Sequence, residues 1–134
     1  MSSTKKIVKL LMVGVMFIVV TQVGIKSAEA ASNTQILANK IGIEKVVSCT
    51  IFYSVVYMKT GNADASMLFQ VLNKLYKTFD ERLTKQYADV FNSRYRDEAA
   101  IMNLSNSCSK ISNDNLKALT VIGAEMSLNG ELKD

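Results

Sequence analysis

The stretch V-V-S-C-T-I-F-Y-S-V-V-Y-M, residues 46–58, runs for thirteen positions without a charge in a chain where 21% of residues are Asp, Glu, Lys or Arg. A helix built from it has no polar face to offer water, so the rest of the protein has to cover it. A membrane span, a buried strand and the central helix of a tight bundle all meet that condition. Periodicity inside so short a run does not separate a buried strand from a buried helix. Length does: Ile36, Leu37, Ile41, Ile43, Val46 and Val47 lead into it at helical spacing. The one turn-forming residue on the way is Gly42, which loosens or kinks a helix at ~1 kcal/mol relative to alanine. The pattern predicts a helix over 34–60, started by Ser32, Asn33 or Thr34 and stopped by Gly61 as a left-handed cap. Zero prolines and six glycines in 134 residues also favour helices with few loops over a strand-rich fold.

Further along, Leu68, Leu72, Leu75, Phe79, Leu83, Tyr87 and Val90 form one stripe at helical spacing, which predicts a long second helix over 64–92 with Asp64 as its N-cap. A rival reading comes from T-F-D-E, residues 78–81, which matches a capping box and would break that helix. Residues 92–98 are polar enough to form a turn. Ala99, Ala100, Ile101, Leu104, Cys108 and Ile111 make a third helix, and Leu116, Leu119, Ile122 and Met126 a last one after S-N-D-N at 112–115. The final N-G-E-L-K-D is expected to fray. The fold class is all-α: a small antiparallel bundle of three to four helices.

The N-terminus carries the marks of an export signal: Lys5, Lys6 and Lys9, an apolar stretch over 10–20, and a small-x-small ending at Ala28-Glu29-Ala30. The apolar stretch falls short of the about 20 residues a transmembrane helix needs. The expectation is a cleaved signal over 1–30 and a single helical domain over 31–134, in the periplasm or secreted and off the membrane once cleaved. An uncleaved anchor is the alternative. The signal takes four lysines and one glutamate with it, which lowers the net charge of +4 to +1. No clustered basic surface remains for nucleic acid, whose binders need grouped Lys and Arg to displace counterions.

In an exported chain, an even count of two cysteines, Cys49 and Cys108, reads as one inter-helix disulfide. Two free core thiols or a redox pair are the alternatives. A redox pair calls for close spacing or a thiolate-stabilising setting, and neither surrounds Cys49. The bridge bears on the two second-helix readings. With a rise of about 1.5 Å per residue, straight helices place Cys49 and Cys108 at similar heights only if 64–92 is unbroken. The long helix is therefore expected.

Catalytic equipment is sparse. Histidine is absent, which removes the commonest general base and metal ligand. No cysteine pair has zinc spacing and no phosphate-cradling glycine loop occurs. Asp80/Glu81 and Asp97/Glu98 are adjacent, and neighbours on a helix do not face one another. The reading is a protein that is not an enzyme and takes no cofactor and no metal. The best candidate for contact with a protein partner is Arg94-Tyr95-Arg96 at a helix–helix turn, because Tyr and Arg are favoured at interface hot spots.

One cysteine in the first helix, another late in the third, and the ending C-S-K-I-S-N-D-N-L-K-A-L at 108–119 resemble the small periplasmic all-helical immunity proteins of type VI secretion amidase effectors. Asn115 stands where that ending has an acidic residue. The resemblance implies a helical periplasmic inhibitor that works by blocking a protein partner. The alternatives are a periplasmic acid-stress-type chaperone, which is also small, helical and single-bridged, and a secreted factor of unknown role.

Overall fold

The structure is a computed structural model that describes residues 32–133. The expected signal, its cleavage after Ala30 and the anchor alternative lie outside the described residues. Among those residues there are seven helices and no strand: α1 (Asn33–Ile41), α2 (Ile43–Thr60), α3 (Ala63–Tyr76), α4 (Glu81–Arg94), α5 (Glu98–Met102), α6 (Ser105–Asp114) and α7 (Leu116–Leu128). The all-α class holds. The expected three to four helices become seven because three connections, at Gly42, at 77–80 and at 103–104, break what apolar periodicity joined.

The first break is Gly42, at φ 96° and ψ 148°, a region that is essentially open only to glycine. The hydrogen-bond ladder survives on both sides, with the Gly42 amide donating to the Ala38 carbonyl at 2.9 Å and the Val46 amide to the Gly42 carbonyl at 3.0 Å. The axis turns by 98° between α1 and α2. No single helix among the described residues is long and apolar enough to cross a membrane. At its other end α2 stops as the sequence predicts: Gly61 is left-handed at φ 67° and donates its amide to the Tyr57 carbonyl at 2.8 Å.

The charge-free run is the spine of the core. Residues 46–57 are all buried or half-buried, and only Met58 of the thirteen is exposed. Helix α2 touches α1, α3, α4, α5 and α6. The buried hydroxyl of Thr50 stays inside the helix, donating to the Val46 carbonyl at 2.6 Å. Intrahelical bonding of this kind lets a Ser/Thr-bearing helix be buried without orphaned donors.

The second break replaces the expected unbroken helix over 64–92. Helix α3 ends at Tyr76, where the Thr78 hydroxyl and amide both donate to the Leu75 carbonyl. Helix α4 starts anew under an Asp80 cap whose carboxylate accepts the Arg82 amide at 2.8 Å. Short polar side chains at 78 and 80 offer the backbone local partners that compete with a continuous helix. The rise argument failed because it treats each segment as a straight rod. With bends at Gly42, at 77–80, at 95–97 and at 103–104, rise along the chain no longer fixes height. At the start of α3 the cap is Asn62 and not Asp64: the Asn62 side chain accepts the Ala65 amide at 3.0 Å.

The C-terminal residues are also better held than their composition suggests. Gln70 of α3 grips the backbone of Lys133 twice, accepting its amide at 2.7 Å and donating to its carbonyl at 2.8 Å. Lys74 pairs with Glu131 at 2.8 Å. Hydrogen bonds from Lys74 and Asn129 hold the Glu131 carboxyl below its ordinary value of 4.5. Leu132 packs against the core from this tail.

Candidate functional site

The two cysteines meet where α2 faces α6. Cys49 and Cys108 stand at disulfide distance, with Cα atoms 5.5 Å apart, and both are buried. Beside them the Tyr53 hydroxyl donates to the Cys108 carbonyl at 3.2 Å and lies 2.8 Å from Ser112 Oγ. One proton per hydroxyl fixes a consistent pattern, in which Ser112 donates to Tyr53 and Tyr53 donates to the carbonyl. A covalent bridge and a buried polar relay thus pin the same pair of helices. Both serve the scaffold and expose no reactive atom.

The Arg94-Tyr95-Arg96 turn sits at the end of α4, and the structure does not gather it into one patch. Tyr95 is half-buried and lies against Phe91, ring centroids 4.6 Å apart at 30°. Its amide closes α4 by donating to the Phe91 carbonyl at 2.8 Å. Tyr95 is therefore anchored inward. Arg94 is exposed and shares a small notch of about 40 Å³ with Tyr95, Glu44 and Ser48. A water's share of liquid is about 30 Å³, so this notch admits little more than a side-chain tip. Arg96 is exposed, folds back to donate from Nε to the Ser93 carbonyl at 3.3 Å, and does not line the notch.

What sequence reasoning missed lies on α4 itself. The stripe expected to be buried is outside: Leu83 is 47% exposed, Tyr87 37% and Val90 54%. The helix instead buries Thr84 and Phe91, with Ala88 and Tyr95 half-buried. Positions 84, 88, 91 and 95 share one helical face, and 83, 87, 90 and 94 share the next. The Asp80 cap was the available signal, since a separate helix is free to choose its own face. The result is an apolar ridge, Leu83–Tyr87–Val90, that runs into the cationic end of Arg94.

Among the described residues no group of three or more His, Cys, Asp or Glu side chains gathers as a metal site would require. No protein-family model, curated protein or solved structure matches the chain.

Proposed function

We propose that this protein acts by binding another protein, in an oxidising compartment outside the cytoplasm, as a module of the inhibitor or immunity type. One observation carries the reading: the Leu83–Tyr87–Val90 ridge leads to Arg94 on a helix whose other face is fixed in a cross-linked core. Tyr87 and Arg94 are of the residue types enriched at interface hot spots, and Leu83 and Val90 add apolar surface around them. A scaffold already rigid loses little conformational entropy on association. The cysteine pair at disulfide distance is compatible with export, as is the signal-like pattern over 1–30. Arg94 and Arg96 contribute at the rim, while Tyr95 supports the helix end.

The experiment is site-specific photo-crosslinking in the producing cell, with the probe at position 90 and a control probe at position 133. A single partner, captured in equal amount from position 90 and lost in Tyr87→Ser/Arg94→Ala, supports the reading. Adducts that form equally from both positions overturn it.

The acid-stress chaperone is the second reading, and the tail favours it. Protonating Glu131 weakens its pairing with Lys74, and release of the tail would open the cavity that Leu132 shares with Tyr57 and Met67. Suppression of client aggregation at about pH 4 but not at neutral pH, with Glu131→Gln active at both, would select this reading over the first.

A further inference from the structure

Asn129-Gly130 is the one Asn-Gly pair in the chain, and both residues are exposed where α7 ends. Gly130 is left-handed at φ 72°. Its amide donates to the Ser127 carbonyl at 3.1 Å, and the Glu131 amide donates to the Met126 carbonyl at 2.8 Å. Together these two bonds form a Schellman stop, which calls for glycine at its left-handed position. The same glycine makes the residue before it chemically labile. With no Cβ beside it, the Gly130 nitrogen is the least hindered kind of backbone nucleophile toward a neighbouring side-chain amide.

The reaction open to this pair is intramolecular, which gives it the advantage of a tethered nucleophile. The Gly130 nitrogen gives its proton to water and attacks Asn129 Cγ. A new N–C bond closes a five-membered succinimide, and the Cγ–Nδ2 bond breaks to release ammonia. Water then opens the ring. Attack at Cγ leaves aspartate, and attack at the backbone carbonyl leaves isoaspartate, with the chain rerouted through Cγ. One water is consumed and one ammonia lost, with no oxidant or reductant.

The docked tail stands in the way. Asn129 has φ −90° and ψ 0°, which eclipses the Gly130 nitrogen with the Asn129 nitrogen, whereas ring closure needs it eclipsed with Cβ. Turning ψ that far pulls the Gly130 and Glu131 amides off their carbonyls and swings the residues beyond. Gln70 opposes the swing by holding Lys133 at 2.7 and 2.8 Å, and Lys74 by pairing with Glu131 at 2.8 Å. The Asn129 side chain is itself engaged, with Nδ2 donating to Glu131 Oε2 at 3.3 Å. The reaction therefore runs from the open tail, at a rate set by the population of that state.

Neither product fits the docked form. Aspartate replaces the Nδ2 donor with a carboxylate facing Glu131, at the negative end of the α7 dipole. Isoaspartate adds a backbone atom between positions 129 and 130, so the next two amides lose register with Ser127 and Met126. We propose that Asn129-Gly130 is a self-modifying site, which deamidates when the tail opens and whose products keep the tail off the core. The conversion is irreversible, so openings accumulate as a released form in which the cavity shared by Tyr57, Met67 and Leu132 stands open. The proposal is independent of the α4 ridge.

The test ages the oxidised full chain at mildly alkaline pH and follows positions 129–130 by peptide mapping, as a gain of one mass unit and as isoaspartate. Gln70→Ala removes both bonds to Lys133 and should raise the rate at Asn129 about tenfold. The exposed Asn-Ser pairs at 92–93 and 106–107 should keep their wild-type rates. Lys74→Gln, which leaves Gln70 in place, should also accelerate Asn129. Asn129→Gln, which would have to close a six-membered ring, should stay unmodified. The aged wild-type fraction, separated by its added negative charge, should lose exchange protection at the Lys133 amide and keep it in α2. A rate at Asn129 that neither Gln70→Ala nor Lys74→Gln changes overturns the proposal. So does conversion in Gln70→Ala no faster than at Asn92 and Asn106, or an aged fraction whose Lys133 amide stays protected.

Discussion

Tyr53 and Ser112 meet through their hydroxyls at 2.8 Å, fifty-nine positions apart, the same separation that divides Cys49 from Cys108. From the disulfide to the hydroxyl pair the chain steps four residues along α2 and four along α6. The two helices therefore run in the same sense where they touch, as the first and third helices of an up-and-down bundle do. The hydroxyl pair also serves the Cys108 carbonyl, so Tyr53→Phe removes two bonds at once and takes away the buried Ser112 hydroxyl's partner on α2. The expected cost is about 1–3 kcal/mol, read as a lower denaturant midpoint at unchanged slope. Ser112→Ala in the Tyr53→Phe background should add little, and full additivity would mean that the two hydroxyls act independently.

Reducing the disulfide releases a closure of fifty-nine positions. Loop-entropy reasoning gives it roughly 4 kcal/mol, a large part of the ~5–15 kcal/mol that a small domain has. Thermal unfolding with and without dithiothreitol should show a large drop in Tm. The Cys49→Ala/Cys108→Ala protein should drop similarly and become insensitive to reductant. Equal Tm values in both conditions would mean the bridge is not formed.

At Gly42 the backbone alone decides the outcome. A Cβ there meets nothing within 4 Å, so Gly42→Ala suffers no clash and only the cost of a φ of 96°. That is about 1–3 kcal/mol. A helix propensity argument predicts the opposite sign, because alanine is the better helix former. Measured stability of Gly42→Ala thus distinguishes a true corner from a continuous helix that merely contains a glycine.

The parts of the fold legible in the sequence are those with one dominant physical demand. A run that cannot face water had to be central, Gly61 had to end it, and two cysteines in a chain read as exported had to pair. The breaks were less legible because two satisfactory local solutions compete at each. Thr78 and Asp80 suit a break, while Phe79 and Leu83 suit continuation, and the choice rests on tertiary contacts. The candidate site suffered most from this. Arg94-Tyr95-Arg96 looked like one surface cluster, yet the stacking of Tyr95 on Phe91 turns its ring toward the core. The turn of α1 away from the α2 axis was as hard to read, a 98° bend with no signature beyond a single glycine.

Acid should loosen the C-terminal tail before the core. The Glu131 carboxyl is held below 4.5 by Lys74 and Asn129, so it binds fewer protons when docked than when free. Its contribution is present above that ordinary value and is lost as pH falls through the lowered one. The protection of the Lys133 amide, its exchange measured against the intrinsic rate at each pH, should fall below about pH 4.5, while amides of α2 stay protected. Glu131→Gln should make the protection of Lys133 nearly independent of pH over that range. The Gln70 grip remains in that variant, so faster exchange at all pH values would show that the ion pair, and not Gln70, holds the tail.

The orientation of α4 makes the sharpest prediction, because the two stripes on it exchange roles between a continuous and a broken helix. If 64–92 were one helix buried along Leu83, Tyr87 and Val90, truncating Leu83 would open a core cavity at about 2–5 kcal/mol. With the observed face, Leu83→Ser and Val90→Ser fall on an exposed ridge and should stay within about 0.5 kcal/mol of wild type. Phe91→Ala should instead cost about 3–5 kcal/mol, since its ring is 4% exposed and supports Tyr95. Chemical denaturation of these three variants separates the models without reference to any partner. A costly Leu83→Ser beside a mild Phe91→Ala would place the ridge in the core and leave the proposed binding face without a surface to occupy.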